Sequence, residues 1–389
     1  MNGIYLLLLI IIAMASCDNV AGQTMTSQLI QSVVSAQPNE NVIVSPISIE
    51  TCLALAYLGA EGETAEELAN SLALKHVADK QSAAQKYGKL FEKTKSVGSA
   101  TFRLANRIYL DQRFQISTKY NELAVNQMHA NAENVRFADA TATAAAINSW
   151  VEAETDNKIR GLIPANSLDA NTALVLVNAL YFKAKWLNQF SNHSTAKREF
   201  HTSAARKSEV DMMKQTDTFL YGDFKELDAT AVEMNYLNTD VSMLVLLPKS
   251  VDGLASLETK LKSVDLAKLS AAMRTEEVNI QLPKFKFEFD LDLKPVLAQL
   301  GLTTMFSDKA DFSSMLAQKE KVAVSQVQHK AFIEVNESGT EAAAATYLKI
   351  VPLSATFAQQ TYQFVADHPF VFAIKDNENV YFVGHVTHF

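Results

Sequence analysis

The hydrophobic pattern of this chain changes near Leu174, and that change restricts the possible folds more than any other feature of the sequence. Before it, apolar residues recur at the spacing of amphipathic helices, whereas later runs such as ALVLVNALYF and VSMLVLLP are typical of buried strands. In LPKFKFEFDLDL, Phe285, Phe287 and Phe289 alternate with charged residues, as in a strand with one buried face. No repeat, linker or shift in composition interrupts the chain, so residues 23–389 are predicted to form one α+β domain.

Several helix boundaries are marked by residues that start or stop helices. Ser45 is placed to cap a helix with Pro46 in its first turn, and Gly59 ends that helix. Thr64 and Glu67 have the spacing of a capping box for the next helix. Further amphipathic helices are expected over residues 25–36, 78–95 and 141–160, with a C-terminal hairpin turning at 376–379.

Charge, cysteines and motifs narrow the possible functions. The formal net charge of −8 makes binding to nucleic acid or an anionic membrane unexpected. Two cysteines, Cys17 and Cys52, are too few for a disulfide scaffold or a Cys-rich zinc site, and the eight histidines lack metal-ligand spacing. No G-x-S-x-G, H-E-x-x-H, Walker or dinucleotide-binding motif occurs. The sequence therefore predicts no catalytic residue, metal or cofactor, and the chain is not expected to be an enzyme.

The first 22 residues have the pattern of a secretory signal peptide. An apolar run from Ile4 to Met14 is followed by small and then polar residues, which places cleavage after Ala15 or Gly22. The alternatives are a buried N-terminal element or a lipoprotein site at Cys17, but no Lys or Arg precedes the run. We therefore expect a secreted, extracellular protein that retains Cys52 as a small buried hydrophobe.

The segment after Gly339 is rich in very small residues and can be described in two ways. As a strand, it would place Thr340, Ala342 and Ala344 on one face, small enough to enter between strands that are already paired. Its alanines also favour an exposed helix. Pro352 biases the preceding residue toward an extended conformation, which suits a peptide lying in a protease cleft. The residues alone leave both descriptions open.

Motifs along almost the whole mature chain resemble those of the serpin family. ESGTEAAAAT resembles the family's hinge motif, and HPFVFAI with YFVGHV resembles its C-terminal signature. NVIVSPISIETCLALAYLGAEGET, LANRIYL, INSWVEAETDNKIRGLIP, LVLVNALYFKAKW and DLKPVLAQLGLTTMFSDKADFS follow in the family's order and spacing. The resemblance implies a single-domain α+β fold with three β-sheets, about nine helices and an exposed reactive-centre loop at about residues 337–366.

The resemblance also implies roles for individual residues. The hinge comprises Glu337, Gly339, Thr340, Glu341, Ala342, Ala343, Ala344 and Ala345. A polar cluster where the main sheet must open comprises Ser45, Ser48, Asn178 and His329. The top of the sheet comprises Trp186, Lys284 and Glu337, and the last two are expected to form an ion pair. Counting from Glu337, the seventeenth residue is Leu353, so Leu353–Ser354 is the expected reactive bond.

The implied function is suicide inhibition of serine endopeptidases. A target protease would attack Leu353, and insertion of the cleaved loop into the main sheet would trap the acyl-enzyme. The apolar Leu353 side chain indicates chymotrypsin-like targets, with elastase-like enzymes as a further class. The alternative is a non-inhibitory member acting as carrier, chaperone or storage protein. The small hinge residues favour inhibition, because bulky or charged residues would obstruct insertion.

Two sequons and a lysine cluster complete the sequence predictions. Asn192 lies in a polar stretch and is expected to carry a glycan, whereas Asn336, beside the hinge, is expected to be bare or poorly occupied. Lys86, Lys89 and Lys93 would share a helical face, for which a solvated surface is favoured over a glycosaminoglycan site. The protein is expected to be a monomer.

Overall fold

A computed structural model describes residues 25–95, 98–340 and 360–389. The predicted signal peptide at 1–22, the hinge positions 341–345 and the predicted Leu353–Ser354 bond lie outside these ranges. The described residues form one α+β domain, as predicted, with eight α-helices where about nine were expected.

The helices are α1 (Met25–Ala36), α2 (Pro46–Gly59), α3 (Gly62–Ser71), α4 (Lys80–Lys95), α5 (Thr118–Met128), α6 (Ala140–Glu154), α7 (Leu254–Leu261) and α8 (Lys294–Gln299). The strands are β1 (Val42–Val44), β2 (Thr101–Asp111), β3 (Ala132–Val135), β4 (Leu174–Lys185), β5 (Ala196–Ser203), β6 (Arg206–Phe224), β7 (Ala229–Asn235), β8 (Ser242–Pro248), β9 (Arg274–Pro283), β10 (Phe285–Asp292), β11 (Gln326–Asn336), β12 (Gly339–Thr340), β13 (Tyr362–Val365), β14 (Phe370–Lys375) and β15 (Val380–Val386). None of the helices in the described ranges combines the length and apolar character needed to cross a membrane.

The strands pair into two sheets. A six-stranded sheet has the order β10-β11-β12-β4-β2-β3. A nine-stranded sheet has the order β1-β15-β14-β8-β7-β6-β9-β13, with β5 also paired to β6. Three sheets were expected, but hydrogen bonds join the described strands into two because β6 is 19 residues long. Its beginning pairs with β5, its end pairs with β7, and β9 pairs with the region between them.

The six-stranded sheet is covered by helices on both faces. Helix α2 is buried on almost every side because it lies between the two sheets, in contact with β2, β4 and β15. Its start matches the prediction, since the Ser48 backbone N–H donates to the Ser45 side chain at 3.3 Å and Pro46 occupies the first turn. Helix α6 covers the opposite face, where its apolar side chains join those of β2 and β4 in a separate small core.

The predicted capping box at Thr64 and Glu67 is wrong. Helix α3 begins at Gly62, so both side chains lie within the helix. The Thr64 hydroxyl accepts a hydrogen bond from the Asp311 backbone N–H at 3.0 Å, and Glu67 accepts bonds from two N–H groups of residues 303–304. These side chains therefore fasten the helix to a distant segment, a tertiary partner that the local spacing does not reveal.

The other predicted elements are present with small changes in length. Helices α1 and α4 lie within the predicted ranges, and strands β14 and β15 form the C-terminal hairpin. Helix α6 stops at Glu154 rather than near residue 160. Asp156 and Asn157 adopt φ values of 51° and 61°, and this left-handed conformation ends the helix.

Candidate functional site

The two central strands of the six-stranded sheet are paired over only part of their length. Strands β4 and β11 run parallel, with Val175–Tyr181 opposite 326–332. Beyond that point they separate, and the two-residue strand β12 fills the space between them. Gly339 lies opposite Lys185 on one side and Asn336 on the other, while Thr340 lies between Ala184 and Val335. Two of the predicted hinge residues, Gly339 and Thr340, therefore lie inside the sheet.

Gly339 fits this space because it has no side chain. A Cβ atom at this position would lie 2.1 Å from the Ala184 carbonyl oxygen and 2.7 Å from the Lys185 Cα. Its φ of +150° is also a conformation that residues with side chains rarely adopt. Both observations require glycine where the chain enters between β4 and β11.

Thr340 is already buried between the strands, with 1% of its surface exposed. Its hydroxyl lies 2.7 Å from the Tyr236 hydroxyl, and either oxygen can donate. The sequence predicted a strand face that begins at Thr340. This side chain occupies the sheet interior before any cleavage.

Glu337 is held from three directions at the top of the sheet. Its carboxylate lies 3.0 Å from the Lys284 Nζ, the predicted ion pair, and accepts a hydrogen bond from the Thr195 hydroxyl at 2.8 Å. The Phe190 backbone N–H donates to the Glu337 carbonyl at 3.0 Å. Burial alone would raise the pKa of the Glu337 carboxyl, but hydrogen bonds from its own backbone, Thr195 and Lys284 outweigh burial and hold the pKa below its ordinary value. The carboxylate is therefore charged near neutral pH.

Trp186 connects the top of β4 to the chain that leads into the hinge. Its indole N–H donates to the Asn336 carbonyl at 2.9 Å, and its backbone N–H donates to the Ser338 carbonyl at 3.0 Å. The indole also stacks on Tyr236, with 4.5 Å between ring centroids and 10° between planes. Trp186 therefore contacts the residues on either side of Glu337, which itself pairs with Lys284.

Lower in the sheet, the four predicted opening residues form one buried hydrogen-bonded cluster. Asn178 and His329 face each other across β4 and β11, and the Asn178 side-chain carbonyl hydrogen-bonds the His329 Nδ1. The Asn178 amide donates to the Ser48 hydroxyl, which joins the strands to helix α2. The Ser45 backbone N–H donates to the His329 Nε2 at 3.3 Å. The cluster therefore fastens both central strands to the helix beneath them.

This hydrogen bonding defines the protonation state of His329. Because Nε2 accepts from the Ser45 N–H, the ring proton lies on Nδ1 and is donated to Asn178. Burial lowers the pKa of His329 to about 3, and the ring stays neutral at physiological pH.

Three residues that contribute to the site were missed at the sequence level. Asn106, on β2, lies opposite Asn178 and accepts a hydrogen bond from its amide. A polar residue in the apolar strand LANRIYL is the signal that could have identified it. Thr195 and Tyr236 carry no such signal, because they reach the hinge from segments distant in sequence.

The two sequons differ in exposure, and the lysine cluster lies on the surface. Asn192 is exposed in a single 3₁₀ turn, whereas Asn336 is half-buried and its side-chain oxygen accepts from the Ser338 N–H at 3.0 Å. On α4, Lys93 pairs with Asp376 at 2.9 Å and Glu378 at 2.7 Å, which neutralises part of the predicted lysine face. Within the described ranges, no group of three or more His, Cys, Asp or Glu side chains could hold a metal ion.

The buried Cys52 thiol is expected to be unreactive. It is a free thiol on α2, and burial raises its pKa to about 12, so the reactive thiolate form is scarce. Its place in the core agrees with the prediction of a small buried hydrophobe.

Comparison with known proteins gives consistent matches. The family model described as Serpin (serine protease inhibitor) matches residues 21–389. Serine protease inhibitor 42Dd of Drosophila melanogaster is 39% identical over 372 residues, which are 95% of this chain and 96% of the relative. Antichymotrypsin-2 of Bombyx mori is 32% identical over 360 residues, 92% of this chain and 95% of the relative. The crystal structure of Serpin48, described as a highly specific serpin of Tenebrio molitor, has a TM-score of 0.85 and 36% identity over 94% of this chain and 96% of that chain.

Proposed function

Because the chain belongs to the serpin family, we propose that it is a secreted, suicide-type inhibitor of serine endopeptidases. The observation that carries the proposal is the position of Gly339 and Thr340 between β4 and β11. The chain that leads into the predicted reactive loop has already begun to form a central strand. Below it, β4 and β11 are paired directly and would have to separate for the loop to continue inward.

The covalent step is supplied by the protease. Its serine hydroxyl adds to the Leu353 carbonyl carbon while the triad histidine takes the hydroxyl proton. The Leu353–Ser354 peptide bond then breaks, and the histidine returns the proton to the new Ser354 amine. An ester between the protease and Leu353 remains. The inhibitor contributes no catalytic residue.

Trapping requires the cleaved loop to insert faster than water hydrolyses the ester. Insertion adds a strand to the six-stranded sheet and carries the protease away from its docking position. The unreacted molecule must therefore resist opening until cleavage, as a kinetically trapped state does. The hydrogen bonds at Asn178, His329 and Glu337 are placed to provide that resistance.

A leucine at the reactive bond supports chymotrypsin-like targets, since an apolar side chain suits an apolar specificity pocket. Elastase-like enzymes form a further class. The relative named Antichymotrypsin-2, which matches 92% of this chain, supports the same assignment. Ser354 follows Leu353 and would be the first residue of the peptide that is released.

Secretion is supported by the pattern of residues 1–22 and by the exposed sequon at Asn192. In the secretory pathway, Asn192 is a surface site accessible to glycosylation, whereas the half-buried Asn336 already uses its side-chain oxygen within the chain. Expression in secreting cells should yield mature protein in the medium, and Asn192→Gln should remove the mobility difference that a glycosidase produces.

The deciding experiment is incubation of the purified protein with chymotrypsin, followed by denaturing electrophoresis and mass spectrometry. An inhibitor gives a complex that survives denaturation and releases a C-terminal peptide beginning at Ser354. Cleavage without a stable complex would instead identify a non-inhibitory member with a carrier, chaperone or storage role. Trypsin serves as the comparison enzyme, and we expect little complex with it.

A further inference from the structure

Tyr236 makes a direct contact with the hinge, although the strand that precedes it belongs to the other sheet. It follows directly after β7 of the nine-stranded sheet, and its hydroxyl lies 2.7 Å from the Thr340 hydroxyl. We propose that Tyr236 is a positioning residue that holds Thr340 inside the six-stranded sheet and so sets how readily the reactive loop leaves and re-enters it. The inference rests on the proposed inhibitory function and extends it to a residue outside the predicted hinge, opening cluster and sheet top.

The Tyr236 ring is fixed independently of the hinge. It stacks on Trp186 and meets Phe182 edge-on at 5.1 Å. The Tyr236 backbone N–H donates to the Val241 carbonyl at 3.1 Å, and an isolated β-bridge joins Tyr236 to Trp186. Because the ring is anchored on several sides, its hydroxyl remains in place when Thr340 moves.

Withdrawal of Thr340 would leave the Tyr236 hydroxyl buried without the hydrogen bond that Thr340 provides. Both residues are buried, and an unsatisfied polar group in such surroundings is unfavourable. Burial raises the pKa of Tyr236 above its ordinary value, so the hydroxyl stays protonated and neutral. The contact therefore favours the state in which the start of the hinge is inserted.

The connection also links the two ends of the reactive loop. Thr340 is the last described residue in the first part of the predicted loop, and the far end of that loop forms β13 of the nine-stranded sheet. Through Tyr236, the nine-stranded sheet thus holds the beginning of the loop as well as its end. A residue in this position can influence loop mobility without contacting the protease.

The test is Tyr236→Phe, which removes the hydroxyl and keeps the ring. Hydrogen exchange measured by mass spectrometry on the unreacted protein should accelerate in the peptide containing Gly339 and Thr340, by roughly threefold to tenfold for one lost hydrogen bond. After cleavage the first step of insertion should also weaken. More inhibitor molecules should then be cleaved for each chymotrypsin molecule trapped.

Tyr120→Phe is a matched control. Tyr120 is also fully buried, and its hydroxyl donates to the Leu55 carbonyl at 3.0 Å away from the hinge. This variant should lower the unfolding temperature without changing exchange at the hinge or the number of molecules cleaved per complex. Thr340→Val removes the other hydroxyl, and adding Tyr236→Phe to it should produce little further change in hinge exchange.

Unchanged hinge exchange in Tyr236→Phe, or an equal change in Tyr120→Phe, would overturn the positioning role. Fully additive effects of Tyr236→Phe and Thr340→Val would also contradict it, because the two hydroxyls would then act separately. If the unmodified protein traps no protease, the proposed inhibitory function fails. The exchange measurement needs no protease, so it still decides the role of Tyr236.

Discussion

Asn178 and His329 lie at the same level on the two central strands, and a hydrogen bond between their side chains joins those strands. The same Asn178 side chain donates to Ser48 on α2, while His329 accepts from the Ser45 backbone N–H. Separation of β4 from β11 must therefore break bonds within the sheet and bonds to the helix together. A loop that inserts between these strands opens the sheet at this point.

The protonation of His329 should make closure of the sheet sensitive to acid. Its folded-state pKa of about 3 lies below the ordinary value of 6.5, so its contribution is complete above pH 6.5 and is lost progressively as pH falls toward 3. Between pH 7.5 and 5.5, the contribution of His329 to the free energy of unfolding should fall by about 1.4 kcal/mol. Urea unfolding at the two pH values measures it.

Comparison with His329→Gln isolates this residue from the other histidines. The variant should be less stable at every pH, but the difference from the unmodified protein should shrink as the pH falls. A constant difference between pH 7.5 and 5.5 would mean that His329 titrates normally in the folded state.

Reversing the charge at Glu337 should loosen the top of the sheet. Glu337→Lys places a second ammonium beside Lys284 and removes the acceptor of the Thr195 hydroxyl. The Glu337 side chain is 10% exposed. The loss of stability should therefore lie between the ~1 kcal/mol expected for an exposed ion pair and the ~3–5 kcal/mol expected when one partner of a buried pair is removed. Oligomers formed by loop insertion between molecules should appear on mild heating, as size-exclusion chromatography would detect.

Glu334→Lys is the control for this prediction. Glu334 pairs with Lys286 at the same 3.0 Å across β10 and β11, but this pair is more exposed and lies outside the contacts that hold Glu337. That variant should remain monomeric under the same heating. Equal oligomer formation by the two variants would point to lost surface charge rather than to opening of the sheet top.

The contrast between these sites shows what the sequence could and could not predict. The Lys284–Glu337 pair and the cluster around Asn178 were predicted because family motifs supply their positions, and the structure places them in contact. Tyr236 was missed because its contact with Thr340 depends on how the two sheets are arranged relative to each other. Periodicity within one strand contains no such information.

Local patterns failed for a related reason. Thr64 and Glu67 match a capping box, yet their hydrogen bonds go to residues 303–311. Likewise, three sheets became two because the length of β6 lets it pair with strands on both sides of the expected boundary. In each case, contacts with residues distant in sequence override the structure that the local pattern favours.

A charge at position 340 should convert the inhibitor into a substrate. Because Thr340 is already enclosed between β4 and β11, Thr340→Arg must either bury a charge without a partner or expel the hinge. The expelled loop should still be cleaved, but insertion should be too slow to trap the acyl-enzyme. Electrophoresis with chymotrypsin should show cleaved protein and little complex. Thr340→Ser retains the hydroxyl and should trap normally, and undiminished trapping by the arginine variant would show that insertion begins elsewhere.

Changing Leu353, the residue proposed to precede the reactive bond, should change the target class. Leu353→Arg replaces an apolar side chain with a cation that suits the acidic specificity pocket of trypsin-like enzymes. Complex formation should fall with chymotrypsin and rise with trypsin. The unfolding temperature should change little, as is usual for surface substitutions. Second-order rate constants of inhibition, measured with both enzymes, test this change in target.

The competing bonds differ in the length of strand that they leave for insertion. Cleavage after Lys349 would shorten the inserting segment by four residues, and cleavage after Phe357 would lengthen it by four, so either should weaken trapping. Lys349→Ala should therefore leave inhibition of chymotrypsin unchanged. If the unmodified protein traps trypsin efficiently and releases a peptide beginning at Ile350, Lys349 is the residue attacked. The reactive bond would then be Lys349–Ile350 rather than Leu353–Ser354, and the inserted strand would be four residues shorter than the family spacing implies.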